Sequence, residues 1–108
     1  MTTTLGYLTL FETGAYRGPF ETLNFRGDID VLPIRDKASP AHPDYRVMAR
    51  GIAIGAGWVN HNRTTGEPYT RLDIAHPDIG PRAYKINLGR AADQDDDKVF
   101  AMLWNPEA

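Results

Sequence analysis

The stretch that decides the fold reads IAIGAGWVN at residues 52–60, RTTGE at 63–67 and YTRLDI at 69–74. The first and last segments are short and rich in β-branched and aromatic residues, which is typical of strands. The middle segment combines threonine, glycine and charged residues, as turns do. In the last segment Tyr69, Arg71 and Asp73 alternate with Leu72 and Ile74. The pattern therefore predicts a hairpin whose second strand has one polar and one apolar side.

The same pattern continues in both directions along the chain. Strands are predicted at residues 5–11, 16–25, 29–35, 45–50, 84–88 and 99–104 in addition, and no segment has the periodicity of an amphipathic helix. Gly51, between two of these strands, is predicted to be a bulge or sharp bend rather than a hairpin turn. Short strands at regular spacing predict one all-β domain over residues 1–108, an antiparallel β-barrel or β-sandwich of about eight strands.

Composition limits the classes of protein that fit. The 108 residues, 42% of them hydrophobic, are enough for one hydrophobic core and too few for two. The absence of cysteine excludes disulfides and cysteine-based metal sites. A net charge of −2 is unlike the strongly basic profile of many nucleic-acid-binding proteins. No apolar run approaches the roughly 20 residues of a membrane helix, and the first residues lack the pattern of a signal peptide, so we expect a cytoplasmic protein without membrane contact.

No catalytic or metal site is predicted. Ser39 is the sole serine and lacks the Gly-x-Ser-x-Gly context of a hydrolase nucleophile. His42, His61 and His76 lack the spacing of zinc ligands. The acidic residues within 93–97 lack the glycine and the final glutamate of an EF-hand loop. We therefore expect a protein that is not an enzyme and needs no cofactor.

The aromatic and apolar residues allow two roles. Alternation places Ile54 and Trp58 on one side of their strand, and we expect Trp58 and Trp104 to anchor the core. The last strand is apolar on both sides, which favours contact with a partner as well as with the core. Its predicted association edge, suited to a homodimer or to another protein, consists of Phe100, Met102 and Trp104.

A basic face is the alternative binding surface. Outward-pointing guanidinium groups near a tyrosine can neutralise phosphates and stack on bases. The residues predicted to form this face are Arg46, Arg50, Tyr69, Arg71 and Lys85. The competing interpretation is that each arginine pairs with a nearby carboxylate such as Asp73 or Glu67.

Three segments carry a resemblance to a known family. They are Pro43–Val47, Gly51–Trp58 and Phe100–Pro106, together with Gly6 and Tyr7. With them the chain resembles the domain-of-unknown-function family 736, small bacterial proteins often encoded on plasmids and integrative elements. The resemblance implies a β-rich domain in a mobile-element setting and no established activity. The resulting hypothesis is a non-catalytic accessory protein that acts by protein–protein association, with nucleic-acid binding as the alternative.

Overall fold

The computed structural model describes residues 3–37, 39–77, 79, 83–90 and 98–104, with the backbone alone at residue 90. Eight strands and no helix lie in these ranges. The strands are β1 (Thr3–Leu10), β2 (Tyr16–Glu21), β3 (Arg26–Pro33), β4 (Tyr45–Ala49), β5 (Ile52–His61), β6 (Pro68–Ile74), β7 (Tyr84–Arg90) and β8 (Val99–Trp104).

The eight strands form a closed barrel. Each strand pairs antiparallel with the next one along the chain, and β8 pairs with β1. At this closure Tyr7 lies opposite Ala101, and Leu8 lies opposite Phe100. Closure gives every strand a hydrogen-bonded neighbour on both sides, whereas a sandwich leaves edges exposed. The all-β prediction is confirmed. Of the two predicted architectures, barrel and sandwich, the chain adopts the barrel.

Side-chain alternation fills the barrel interior. In β6, Thr70, Leu72 and Ile74 are buried, while Arg71 and Asp73 are partly exposed, as the sequence predicted. β2, β3 and β4 follow the same rule, and the interior also holds Leu8, Phe20, Ile29, Val31, Val47, Ile86 and Met102, all fully buried. Each large aliphatic side chain removed from water stabilises the fold by about 1.5–3 kcal/mol. This interior is the main source of stability.

Aromatic rings pack inside both ends of the barrel. At one end the ring of Tyr16 makes edge-to-face contacts with Tyr45 and Phe100, at centroid distances of 5.9 and 5.5 Å. At the other end Tyr84 contacts Trp104 in the same way at 5.4 Å. Trp104 packs against the core, so its prediction as a core anchor is confirmed.

The turn between β4 and β5 differs from the prediction. Ala49 pairs directly with Ile52, and the two residues between them, Arg50 and Gly51, have φ of 53° and 78°. Two successive positive φ angles characterise the type I′ turn of a two-residue hairpin. Gly51 is therefore part of a hairpin turn and not a bulge, and glycine adopts this conformation without steric cost.

The bulge lies three residues further along, at Ile54. Met48 pairs with Ala53 and Val47 pairs with Gly55, so Ile54 has no partner of its own on β4. The extra residue reverses the alternation. Ile54 is buried, whereas Trp58 pairs with the outward-facing Arg71 and lies on the outer surface. The prediction that Trp58 anchors the core is wrong for this reason.

Candidate binding surfaces

Four of the five residues predicted as a basic face lie together on the outside of the barrel. Arg46 is opposite Ala56, Ala56 is opposite Asp73, and Asp73 is opposite Lys85, which forms a row across four strands. Two more of the predicted residues, Tyr69 and Arg71, lie on the outward side of β6. We call this outer surface of β4–β7 the basic wall; it carries Arg46, Trp58, Tyr69, Arg71 and Lys85, together with the carboxylate of Asp73.

Arg50 is separate from the basic wall. It lies in the turn beyond β4, where its Nη2 donates a hydrogen bond to the backbone oxygen of Arg26 at 3.0 Å. Its guanidinium carbon is 5.3 Å from the centroid of the Phe25 ring. These contacts direct the side chain toward β3 and away from β6. The prediction that Arg50 shares a face with Arg71 is therefore wrong, because the hairpin turn redirects the chain at this residue.

Trp58 adds an aromatic side chain that sequence reasoning assigned to the core. The Arg71 guanidinium carbon lies 5.6 Å from its ring centroid, which is a cation–π contact. The indole Nε1 donates to the backbone oxygen of Ala41 at 3.3 Å. One signal for this orientation was present in the sequence, since a glycine such as Gly55 within a strand pattern often marks a bulge.

The charges on the basic wall are only partly balanced. Arg71 Nε and Asp73 Oδ1 lie 3.6 Å apart, so this arginine has the carboxylate partner that the competing interpretation expected. These two atoms are buried and have no hydrogen bond, since their separation is slightly too long for one. Among the described residues, Arg46 and Lys85 have no ion-pair partner, and both are exposed. The wall therefore keeps two exposed cations.

Asp44 attaches the loop before β4 to the outside of β5. Its Oδ1 lies 2.7 Å from Lys37 Nζ, and its Oδ2 accepts a hydrogen bond from the Val59 backbone N–H at 2.9 Å. The hydrogen bonds from Lys37 and then from Val59 hold the pKa of the Asp44 carboxyl below its usual value. The same loop supplies Ala41, the acceptor for Trp58. Asp44 is thus a positioning residue for the basic wall.

Tyr45 is the second group with a shifted pKa among the described residues. Burial, and then its closeness to Tyr16, raise the pKa of its hydroxyl above the usual value of 10.0. Its ring packs inside the barrel end. Removal of the phenol from water is the larger of these causes.

The predicted association edge on β8 is wrong. Met102 is fully buried, and Phe100 and Trp104 pack against the core. β8 is also hydrogen-bonded to both β7 and β1, so it has no open edge. Because both sides of this strand are apolar, the sequence did not show which side faces inward. The outer surface of β1 and β8, which we call the neutral wall, instead consists of Thr4, Tyr7, Thr9, Val99 and Leu103, and the outward-facing Ala101 is buried among them.

Within the described ranges, no three histidine or acidic residues lie together in a way that would hold a metal ion. The acidic residues of 93–97 lie outside these ranges. The described part of the chain also has no helix long and apolar enough to cross a membrane.

The fold defines a small, closed, eight-stranded antiparallel barrel whose described outer surface includes one basic and one uncharged wall. The chain belongs to the family described as "Protein of unknown function (DUF736)", whose model matches residues 4–107. The resemblance seen in the sequence is thereby confirmed. No curated protein and no solved structure matches the chain.

Proposed function

We infer that this protein is a non-catalytic accessory protein of a bacterial mobile element, which acts in the cytoplasm by protein–protein association. The observation that supports this function is the neutral wall. The mobile-element setting and the location come from the family resemblance and from the sequence. The partner that the neutral wall fits best is a second copy of the same chain.

The neutral wall contains no charged residue on either of its strands. At its centre Tyr7 lies opposite Ala101; Tyr7 is 48% exposed, whereas Ala101 is buried. The exposed ring of Tyr7 and the partly exposed side chain of Leu103 offer apolar area on which another sheet can pack. Depletion of charge together with an exposed tyrosine is typical of the centre of a protein interface.

Charged side chains border the neutral wall on both sides. On β2, Arg17 and Glu21 are exposed, and on β7 Lys85 is exposed. A rim of this kind around an uncharged centre is the usual arrangement of an interface. A second copy presents the same uncharged centre, so two walls can meet around a twofold axis without burying an unpaired charge.

The experiment is a measurement of molar mass by light scattering after size exclusion, at several protein concentrations. The wild type should form a dimer. Leu103→Asp and Tyr7→Asp should be monomeric, because each would bury a carboxylate in the interface. Leu32→Asp is the matched control, since Leu32 is also a partly exposed apolar residue but lies on β3. It should remain dimeric.

Circular dichroism and thermal unfolding of each variant must show an intact barrel, so that loss of the dimer is not loss of the fold. A wild-type protein that stays monomeric at every concentration would overturn the proposal. A dimer that is unaffected by both Leu103→Asp and Tyr7→Asp would also overturn it.

A further inference from the structure

The basic wall presents aromatic rings next to one another. Trp58 is opposite Arg71, and Asn60 is opposite Tyr69, so Trp58 and Tyr69 are diagonal neighbours on adjacent strands. Diagonal neighbours in an antiparallel pair lie about 7–8 Å apart, within reach of large side chains. Both aromatic residues are partly exposed. The arrangement is a short aromatic platform on the surface of a sheet.

Two exposed cations lie in the row next to the one that contains Trp58 and Arg71. Arg46 on β4 and Lys85 on β7 lie at the two ends of the row that contains Ala56 and Asp73. Since Asp73 is paired with Arg71, the charges of Arg46 and Lys85 are not balanced by a described residue. The wall is therefore locally positive on a protein whose net charge is −2.

The wall formed by β2 and β3 is different. Its arginines are paired, Arg17 with Asp30 at 3.5 Å and Arg26 with Glu21 at 3.6 Å. It also carries the exposed Asp28. A polyanion is thus attracted to the basic wall more than to the surface of β2 and β3, since the local charge decides where it approaches.

We propose that the basic wall binds single-stranded nucleic acid, with bases stacked on Trp58 and Tyr69 and phosphates held by Arg46 and Lys85. Arg71 lies against the indole and is held by Asp73, so it is a positioning residue. The proposal goes beyond protein association, because it uses a different surface and a different partner. It also revises the predicted basic face, since Trp58 joins it and Arg50 leaves it.

The aromatic platform favours a single strand over a duplex. Stacking on a side chain requires an exposed base face, which paired and stacked bases do not offer. A duplex would contact this surface through its phosphates alone. Stacking also tolerates any base, so little sequence preference is expected.

The test is fluorescence anisotropy with labelled single-stranded DNA and RNA of mixed sequence and with the matching duplex, at low and at moderate salt. The single strands should bind more tightly than the duplex. Neutralising two phosphates predicts a plot of log K against log salt with a slope of about −1.4. Intrinsic fluorescence should be quenched by stacking on Trp58, because the other tryptophan, Trp104, packs against the core.

Variants assign the contribution of each residue. Trp58→Ala and Tyr69→Leu should each weaken single-strand binding by about 5- to 150-fold. The double variant Arg46→Gln, Lys85→Gln should reduce the salt slope toward zero. Arg17→Gln on the opposite wall is the matched control and should bind as the wild type does. Unfolding curves must confirm that each variant is folded.

Two results would overturn the proposal. One is the absence of single-strand binding at low salt. The other is binding that is equal for single strand and duplex and unchanged by Trp58→Ala and Tyr69→Leu. The outcome is independent of the proposed dimer, because Leu103→Asp changes the neutral wall only and should bind the single strand with unchanged affinity per chain.

Discussion

Replacing Gly55 by alanine tests how closely β5 and β6 must approach for the barrel to close. A Cβ at this position would lie 2.1 Å from the backbone oxygen of Asp73 and 3.0 Å from the Cα of Ile74. Both are backbone atoms, so no side-chain rotation relieves the overlap. The strands would have to separate by more than about 1 Å to restore ordinary contact distances.

Such a separation affects the hydrogen bonds around this point. Gly55 pairs with Ile74, and the Ala75 N–H donates to the Ile54 oxygen at 2.8 Å. Weakening one or two of these bonds costs about 1–2 kcal/mol, and the overpacking itself costs roughly 1–3 kcal/mol. We expect the free energy of unfolding to fall by about 2–5 kcal/mol, which corresponds to a decrease in Tm of roughly 10–30 °C for a domain of this size.

Urea and thermal unfolding followed by circular dichroism measure this effect, and Gly66→Ala is the control. Gly66 has a φ of 77° with no atom within 4 Å of a built Cβ, so its replacement introduces backbone strain without overlap. That strain should cost about 1 kcal/mol. If Gly55→Ala is destabilised no more than Gly66→Ala, the close approach is not a requirement of the fold and the reasoning is refuted.

The remaining predictions concern charge and burial. Because the pKa of Asp44 is lowered in the folded state, its contribution to stability is present above the unfolded carboxyl pKa and is lost as the pH falls through the folded value. In Asp44→Asn the free energy of unfolding should therefore decrease less than in the wild type as the pH is lowered. An equal decrease in the two proteins would contradict this. Because the pKa of Tyr45 is raised, stability should fall as the pH rises above about 10, where the unfolded phenol ionises first. The free energy of unfolding, measured in urea at increasing pH, should therefore decrease less for Tyr45→Phe than for the wild type, and equal decreases would contradict this. Met102→Asp should unfold the protein, since it places a carboxylate in the fully buried interior, whereas Leu103→Asp one residue later should fold; equal stability of the two variants would contradict the orientation of β8.

The strands were predictable because their local patterns were unambiguous. In 71–74 polar and apolar residues alternate strictly, and the observed β6 buries the apolar Leu72 and Ile74. The last strand was located with the same accuracy, at Val99–Trp104. Its orientation was not predictable, because alternation does not discriminate between two apolar sides. The prediction of an association edge on β8 was wrong for this reason.

The basic face was predicted in large part for a similar reason. Arg46, Tyr69, Arg71 and Lys85 all lie at outward positions of regular strands, where local alternation decides the side. Arg50 and Trp58 depend on features that alternation does not include. A two-residue hairpin turn redirects Arg50, and a single unpaired residue turns Trp58 outward.

The residue pattern by itself thus determined the class of fold, the number of strands and most of the outward cations, since these depend on periods of two residues within short segments. Tertiary structure decided that the sheet closes on itself, which side of β8 faces inward and where the alternation of β5 reverses. Closure and the orientation of β8 depend on pairing between residues distant in the chain, which forms only when the whole barrel is assembled. The reversal in β5 depends instead on the register of β5 against β4 across one hairpin, which alternation within a single strand does not specify.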